Sequence, residues 1–135
     1  MELLCYSDFS LGLHQKVNGR RVPISGAIEV TRRCNNRCIH CYNNLPMGDQ
    51  EALLDELTYD EYCRILDEIT EAGCLWLLFT GGEIFLRKDF LDIYMYVKKK
   101  GLLITLFTNG TLLTPEIADY LVQWSKKCPI SKKSN

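Results

Sequence analysis

Two continuous apolar runs constrain most tightly what this chain can fold into. CLWLLF covers residues 74–79, LLITLF covers residues 102–107, and a helical pattern separates them. Runs of this length without charge are typical of parallel strands that are covered on both faces. A third, shorter β-prone run, AIEVT, begins at Ala27. The sequence therefore predicts a parallel sheet with at least these three strands.

A helix with clear start or stop signals follows each run. TYDE opens a capping box at Thr58, and Gly73 stands where a C-cap glycine belongs, which predicts a helix over 58–72. The second helix ends at three lysines before Gly101, and the third begins at Thr114 and Pro115. The sequence thus predicts an α/β fold of about three parallel strand–helix units. The helix residues expected to face the sheet are Tyr62, Ile65, Leu66 and Ile69, then Phe90, Ile93, Tyr94 and Val97, then Ile117, Leu121 and Trp124.

The 135 residues divide into three parts. Residues 1–26 form an N-terminal segment with no clear period, apart from a turn signal in NGR at 18–20. Residues 27–124 carry the strand–helix units. Residues 125–135, SKKCPISKKSN, are rich in lysine and lack an apolar period, so a disordered tail is expected there.

Charge and hydropathy give no reason to expect nucleic-acid or membrane partners. The chain has 16 basic and 17 acidic residues, for a net charge of -1. Its N-terminus lacks a signal-peptide pattern, and no apolar stretch approaches the roughly 20 residues that span a bilayer. We therefore expect a cytoplasmic protein whose seven cysteines are reduced thiols rather than disulfides.

Three cysteines lie together on one loop, CNNRCIHC, at Cys34, Cys38 and Cys41. Thiolate sulfur suits zinc or an iron–sulfur cluster, and this spacing lets three sulfurs face one centre. A zinc site would need His40 or His14 as a fourth ligand, and the side chain of His40 points most easily away. Coincidental core thiols are disfavoured because the loop is polar. The loop predicts a metal site, with a cluster favoured over structural zinc.

The other two strands also end in polar motifs. TGGE at 80–83 follows the second strand, and TNG at 108–110 follows the third. Because ligands bind beyond the carboxyl ends of parallel strands, the three loops are expected to converge on one rim. Taken alone, GGE is typical of a turn with an exposed acid, and TNG of a turn before a helix.

Together, these motifs resemble the radical S-adenosylmethionine (radical SAM) superfamily, whose hallmark is C-x3-C-x2-C followed by a GGE-type loop. IEVTRRCNNRCIHCYNN, FTGGEIFLRKDF and LFTNGTLLTPEIADYL are similar to the branch that matures peptides and sulfatases, over about residues 22–124. Family members usually have six strand–helix units, so the resemblance implies half of a partial (β/α)6 TIM-like barrel. Ile84 stands where the family usually has proline, which leaves the loop less rigid.

The resemblance implies that Cys34, Cys38 and Cys41 hold three irons of a [4Fe-4S] cluster. SAM would chelate the fourth iron and be cleaved reductively to a 5'-deoxyadenosyl radical. A peptide or protein substrate and an external electron donor of the flavodoxin or ferredoxin type are the implied partners. A second chain that supplies the missing half of the barrel is a further candidate.

Candidate cofactor-binding residues lie in the other two loops and beside the last cysteine: Gly81, Gly82, Glu83, Thr108, Asn109 and Tyr42. The glycines would let the backbone approach SAM closely, and Glu83 would accept a hydrogen bond from its ammonium group. Thr108 and Asn109 either contact a ribose or substrate or simply form a turn. Tyr42 either shields the cluster or contacts the adenine, or it packs on the first helix. The arginines at 32, 33 and 37 either tune the cluster through their charge or are solvated.

An alternative function follows from the chain's length. Without the later strand–helix units, it would be a truncated, catalytically incompetent fragment that binds an iron–sulfur cluster or zinc, or a remnant with no folded function. The edge of the LLITLF strand would then be exposed, which invites aggregation or pairing with another chain.

Overall fold

A computed structural model describes residues 5–43 and 45–126. The helices are α1 (Tyr6–Val17), α2 (Gln50–Leu54), α3 (Tyr59–Glu71), α4 (Phe90–Lys99) and α5 (Pro115–Lys126). The strands are β1 (Ser25–Glu29), β2 (Arg33–Cys34), β3 (Leu45–Pro46), β4 (Trp76–Thr80) and β5 (Leu103–Leu106), and a short 3-10 turn covers Ile84–Leu86.

The main sheet is parallel, with the strand order β1-β4-β5. Its register pairs Glu29 with Thr80 and Phe79 with Leu106. Because α3 connects β1 to β4 and α4 connects β4 to β5, consecutive units lie side by side, as in a (β/α) repeat. This arrangement confirms the predicted fold class. The two-residue strands β2 and β3 form a separate parallel pair at the base of the cysteine loop.

Helix ends follow the local signals in the sequence. The Glu61 amide donates to the Thr58 hydroxyl at 3.3 Å, and the Thr58 amide donates to the Glu61 carboxylate at 2.8 Å, which completes the capping box. Gly73 has a φ of 100°, the left-handed conformation that a C-cap glycine supplies. At the start of α5, the Ile117 amide donates to the Thr114 hydroxyl at 3.3 Å.

The core lies between one face of the sheet and the helices α3 and α4. Phe79 of β4 meets Phe90 of α4 edge to face, with ring centroids 5.6 Å apart. Most of the predicted inward-facing residues are buried, whereas Ile65, Ile69, Ile117, Leu121 and Trp124 are half-buried. The buried members of the predicted stripes are Tyr62, Leu66, Phe90, Ile93, Tyr94 and Val97.

The prediction that β4 and β5 are covered on both faces is wrong. Leu77 and Phe79 of β4 are buried, but Trp76, Leu78 and Thr80 on its opposite face are half-buried. In β5 no residue is buried. The reason is that, within the described residues, α3, α4 and α5 all pack on one face, while the other face is covered by α1 near Trp76 and otherwise borders a cavity.

Helix α1 lies in the N-terminal segment, where the sequence shows no apolar period. None of its residues is buried. It packs against Trp76, whose ring centroid lies 6.5 Å from that of Tyr6, 6.3 Å from that of Phe9 and 5.6 Å from that of His14. A helix of this length is marginal by itself, so these tertiary contacts stabilise it.

The C-terminal boundary also differs from the expectation. Ser125 and Lys126 belong to α5, although a disordered tail was predicted from residue 125. The rest of that predicted tail, 127–135, lies outside the described residues. Across the part of the chain that the structure describes, no helix combines the length and apolar character needed to cross a membrane.

Candidate functional site

Backbone hydrogen bonds join the GGE loop to the start of the cysteine loop. The Gly82 amide donates to the Thr31 carbonyl at 2.8 Å, and the Glu83 amide donates to the Arg33 carbonyl at 2.9 Å. These bonds continue the parallel pairing of β1 and β4 beyond the ends of both strands. The second loop therefore fixes the chain immediately before Cys34.

The two glycines are required by this close approach. A Cβ atom on Gly81 would lie 2.2 Å from the Thr31 carbonyl oxygen, and one on Gly82 would lie 2.2 Å from the Arg33 carbonyl oxygen. Gly81 also has a φ of 144°, which disfavours other residues. The chain's own backbone thus explains both glycines, and their approach to SAM stays a prediction.

Glu83 connects the second loop to the third. Its side chain is fully buried, and its carboxylate accepts from the Thr108 hydroxyl at 2.8 Å, the Asn109 amide at 2.8 Å and the Phe85 amide at 3.0 Å. A buried carboxylate satisfied in this way is part of the framework. The alternative of an exposed acid in a turn is therefore wrong, whereas a contact from Glu83 to SAM stays a prediction.

Asn109 completes the convergence by joining the third loop to the first. Its side-chain amide donates to the Asn35 side-chain oxygen at 2.9 Å and lies 3.7 Å from the Cys34 sulfur. The Asn35 amide in turn donates to the Thr111 hydroxyl at 2.7 Å. The three loops meet at one rim, as the sequence predicts.

Cys34, Cys38 and Cys41 are free thiols on the loop that follows β1, and Cys34 lies at the rim beside Asn109. Cys34 and Cys41 are half-buried, and Cys38 is exposed. Their donor chemistry fits an iron–sulfur cluster, because three thiols on one loop, none of them in a disulfide, are the ligand type that such clusters take. In the conformation described, however, no three His, Cys, Asp or Glu side chains within 5–43 and 45–126 are grouped as a metal site. Neither His40 nor His14 is therefore placed as a fourth zinc ligand.

A cavity of about 750 Å³ adjoins the rim on the open face of the sheet. Tyr42 borders it and is 82% exposed, and its hydroxyl donates to the Glu29 carboxylate at 2.7 Å. This hydrogen bond raises the pKa of Tyr42 above its ordinary value. The alternative that Tyr42 packs on the first helix is not what the structure shows. The cavity is lined by Ala27, Glu29, Leu78, Thr80, Leu106 and Phe107, together with Tyr42, Gly81, Gly82, Thr108 and Asn109.

Sequence reasoning missed several residues at or behind this site. Glu29 and Thr80 face the cavity from the ends of β1 and β4, and the two-residue period of a strand would have placed them there. Glu56 and Arg87 form ion pairs behind the cysteine loop. No local pattern signals those pairs, because the partners come from segments far apart in sequence.

The fold and the loop motifs together define the class of this protein. Residues 28–125 match the Radical SAM superfamily. The chain belongs to that superfamily, as the three motifs suggest. The match begins within β1 and ends within α5, so it covers all three strand–helix units.

Relatives with different names match most of this chain. An AdoMet-dependent heme synthase of Methanosarcina barkeri is 40% identical over 70% of this chain and 26% of its own length. A PqqA peptide cyclase of Bradyrhizobium diazoefficiens is 36% identical over 70% of this chain and 24% of its own length. The antilisterial bacteriocin subtilosin biosynthesis protein AlbA of Bacillus subtilis is 31% identical over 78% of this chain and 23% of its own length. The chain thus spans about a quarter of the length of these curated relatives.

Proposed function

We propose that this chain forms the cluster- and SAM-binding part of a radical SAM enzyme that modifies a peptide or protein. One observation carries the proposal: the cysteine, GGE and TNG loops are tied together by the buried Glu83 carboxylate and by Asn109. Membership of the superfamily supports the same chemistry. The tie brings the thiol loop beside a cavity large enough for a ligand of the size of SAM.

In this proposal Cys34, Cys38 and Cys41 hold a [4Fe-4S] cluster. When bound, the cluster supplies the electron that cleaves SAM reductively and so generates a 5'-deoxyadenosyl radical. Gly81, Gly82 and Glu83 hold the methionine end of SAM, where the buried carboxylate orients the loop through Thr108 and Asn109.

Tyr42 and Glu29 define the opposite wall of the cavity in the proposed complex. Their hydrogen bond fixes the tyrosine ring at the mouth, where it shields the reacting atoms from water. Thr80, Thr108 and Asn109 line the cavity, and we assign them to contacts with the ribose of SAM or with the substrate.

The partners in the proposal are an external electron donor of the flavodoxin or ferredoxin type and a peptide or protein substrate. The peptide class is supported by the relatives named as a PqqA peptide cyclase and a bacteriocin biosynthesis protein. We also propose a cytoplasmic location, where a reducing environment would keep the three cluster-ligating thiols free.

Anaerobic reconstitution with iron and sulfide tests the metal site. We expect about four irons per chain and an electron paramagnetic resonance (EPR) spectrum of the reduced cluster that changes when SAM is added. Cys38→Ala should lose the bound iron or its response to SAM. The matched control is Cys5→Ala, which removes an exposed thiol outside the loop. Equal iron content and equal response in both variants would contradict the proposal.

The substrate class needs a separate test, because relatives named for haem synthesis match the chain as well as peptide-modifying ones do. Formation of 5'-deoxyadenosine is measured with SAM alone, with a peptide library and with an iron porphyrin. If peptides stimulate the formation of 5'-deoxyadenosine and the porphyrin does not, the result supports a peptide or protein substrate. Stimulation by the porphyrin alone would contradict it.

A further inference from the structure

A partly buried ion-pair network lies behind the cysteine loop. Its centre is Glu56, in the turn between α2 and α3. The Glu56 carboxylate accepts from the Nε of Arg33 at 2.7 Å and from its Nη2 at 3.1 Å. Each of the two side chains is only 11% exposed. A two-pronged pair of this kind, largely shielded from water, fixes both the position and the direction of the guanidinium.

Arg87 extends the network on the far side of Glu56. Its Nη1 lies 3.8 Å from the Glu56 carboxylate, and its Nε and Nη2 donate to Asp89 at 3.0 and 2.7 Å. The guanidinium also lies 4.9 Å above the ring of Tyr62. With two arginines and two acids, the charges of the network balance, as buried charges require.

The network reaches the backbone at the base of the cysteine loop. Arg87 donates to the Val30 carbonyl at 3.2 Å, and the Thr31 hydroxyl donates to Glu56 at 2.5 Å. Arg33 also donates to the Met47 carbonyl at 3.1 Å. Arg33 lies in β2 and Met47 directly follows β3, so one guanidinium joins the two ends of the segment that carries all three cysteines.

We infer that Glu56 is a positioning residue for the metal ligands, acting through Arg33 to hold the cysteine loop closed at its base. The contacts from Glu56 to Arg33 and from Arg33 to the Met47 carbonyl, here called the clasp, are a property of the folded chain. The effect of the clasp on metal binding rests on the proposed function. Stability alone does not explain the network, because apolar residues of similar volume often stabilise a core at least as well as buried ion pairs. Apolar residues would not supply the bidentate contact between Arg33 and Glu56, which fixes the geometry of the chain directly before Cys34.

Thiol labelling of the metal-free chain tests the clasp without any cluster. Glu56→Gln places an amide donor against the Arg33 donors and removes the charge. We expect the labelling of Cys34 and Cys41 to accelerate at least about fivefold, because local opening exposes these half-buried thiols. The matched control is Asp55→Asn, which removes the neighbouring but exposed ion pair with Arg32. It should label at the wild-type rate.

Two cysteines elsewhere report on the rest of the fold. Cys5 is exposed and should label at the same rate in every variant, whereas Cys74 is buried and should stay protected. If Cys74 becomes reactive in Glu56→Gln, the fold has been lost and Arg33→Lys decides instead. That change keeps the charge but loses the fork and the geometry of the Met47 contact. Acceleration limited to the cysteine loop supports the clasp, and wild-type rates overturn it.

A spectroscopic readout tests the consequence for the metal site. After reconstitution, SAM is titrated and the concentration that gives half of the change in the EPR spectrum is measured. This concentration should rise roughly tenfold in Glu56→Gln, because a small displacement of the metal ligands weakens the binding of SAM. Asp55→Asn should match the wild type. An unchanged concentration in Glu56→Gln would overturn the positioning role. If the wild-type protein binds no cluster, the proposed function is refuted. The labelling experiment still tests the clasp in that case, because it uses the metal-free chain.

Discussion

At the residue scale, the GGE motif packs against the protein's own backbone at the start of the cysteine loop. The sequence predicts glycines that make room for a ligand, but Gly81 and Gly82 make room for the backbone at Thr31 and Arg33. The partners lie about fifty residues earlier, so no local pattern identifies them. Glu83 was likewise predicted at the rim, but its burial depends on Thr108 and Asn109 of a later loop.

Gly82→Ala tests this account of the motif. The added Cβ would meet the Arg33 carbonyl oxygen at 2.2 Å, so the backbone must shift. We expect the free energy of unfolding to fall by about 1–3 kcal/mol in urea denaturation, the range typical of overpacking. The control is Gly12→Ala in α1, where nothing lies within 4 Å. It should raise the free energy of unfolding by roughly 0.5–1 kcal/mol, and an equal loss in both variants would refute the steric explanation.

The Arg87–Asp89 pair predicts a dependence of stability on pH. Hydrogen bonding to the Arg87 guanidinium lowers the pKa of Asp89 below its usual range. Because the folded-state pKa is the lower one, the ionised carboxylate stabilises the fold above the unfolded pKa, and this contribution is lost as the pH falls below about 4. Asp89→Asn should therefore be less stable than the wild type at pH 7, and the difference should shrink in acid. A difference that stays constant between pH 7 and pH 3 would contradict the assignment.

At the element scale, the sequence predicted best what neighbouring residues decide. The capping box at Thr58, the glycine at 73 and the N-cap at Thr114 depend on residues within one turn, and the structure contains all three. Helix α1 was missed because its stabilising partner, Trp76, lies some sixty residues away. The faces of β4 were misjudged for a related reason, since an apolar run does not reveal which face a helix covers.

Thr58→Ala measures what the capping box contributes to α3. The Glu61 amide loses its side-chain acceptor, so we expect a loss of about 1 kcal/mol in the free energy of unfolding. Thr70→Ala is the matched control, because the Thr70 hydroxyl only donates back to the Leu66 carbonyl within the same helix. That change should stay within about 0.5 kcal/mol, and a larger cost for Thr70 than for Thr58 would refute the cap assignment.

At the scale of the whole molecule, the parallel topology explains why the site could be anticipated. Three loops that follow three adjacent strands must emerge at the same edge, so their convergence follows from the strand–helix order alone. The ion-pair network around Glu56 could not be anticipated in this way, because it combines side chains from three separate segments of the chain, around residues 33, 56 and 87–89. The sheet also has an edge, since β5 pairs only with β4 among the described residues and the nearby Phe107 is 59% exposed. The pairing of this edge with another strand stays a prediction.

Formation of 5'-deoxyadenosine from SAM tests most directly whether this chain carries out radical SAM chemistry. The chain is reconstituted anaerobically, given SAM and a strong reductant, and compared with Cys38→Ala and with the Cys5→Ala control. We expect product from the wild type and from Cys5→Ala, and none from Cys38→Ala. A bound cluster in the wild type without any 5'-deoxyadenosine would contradict the claim and leave the cysteine loop as a metal site without radical chemistry.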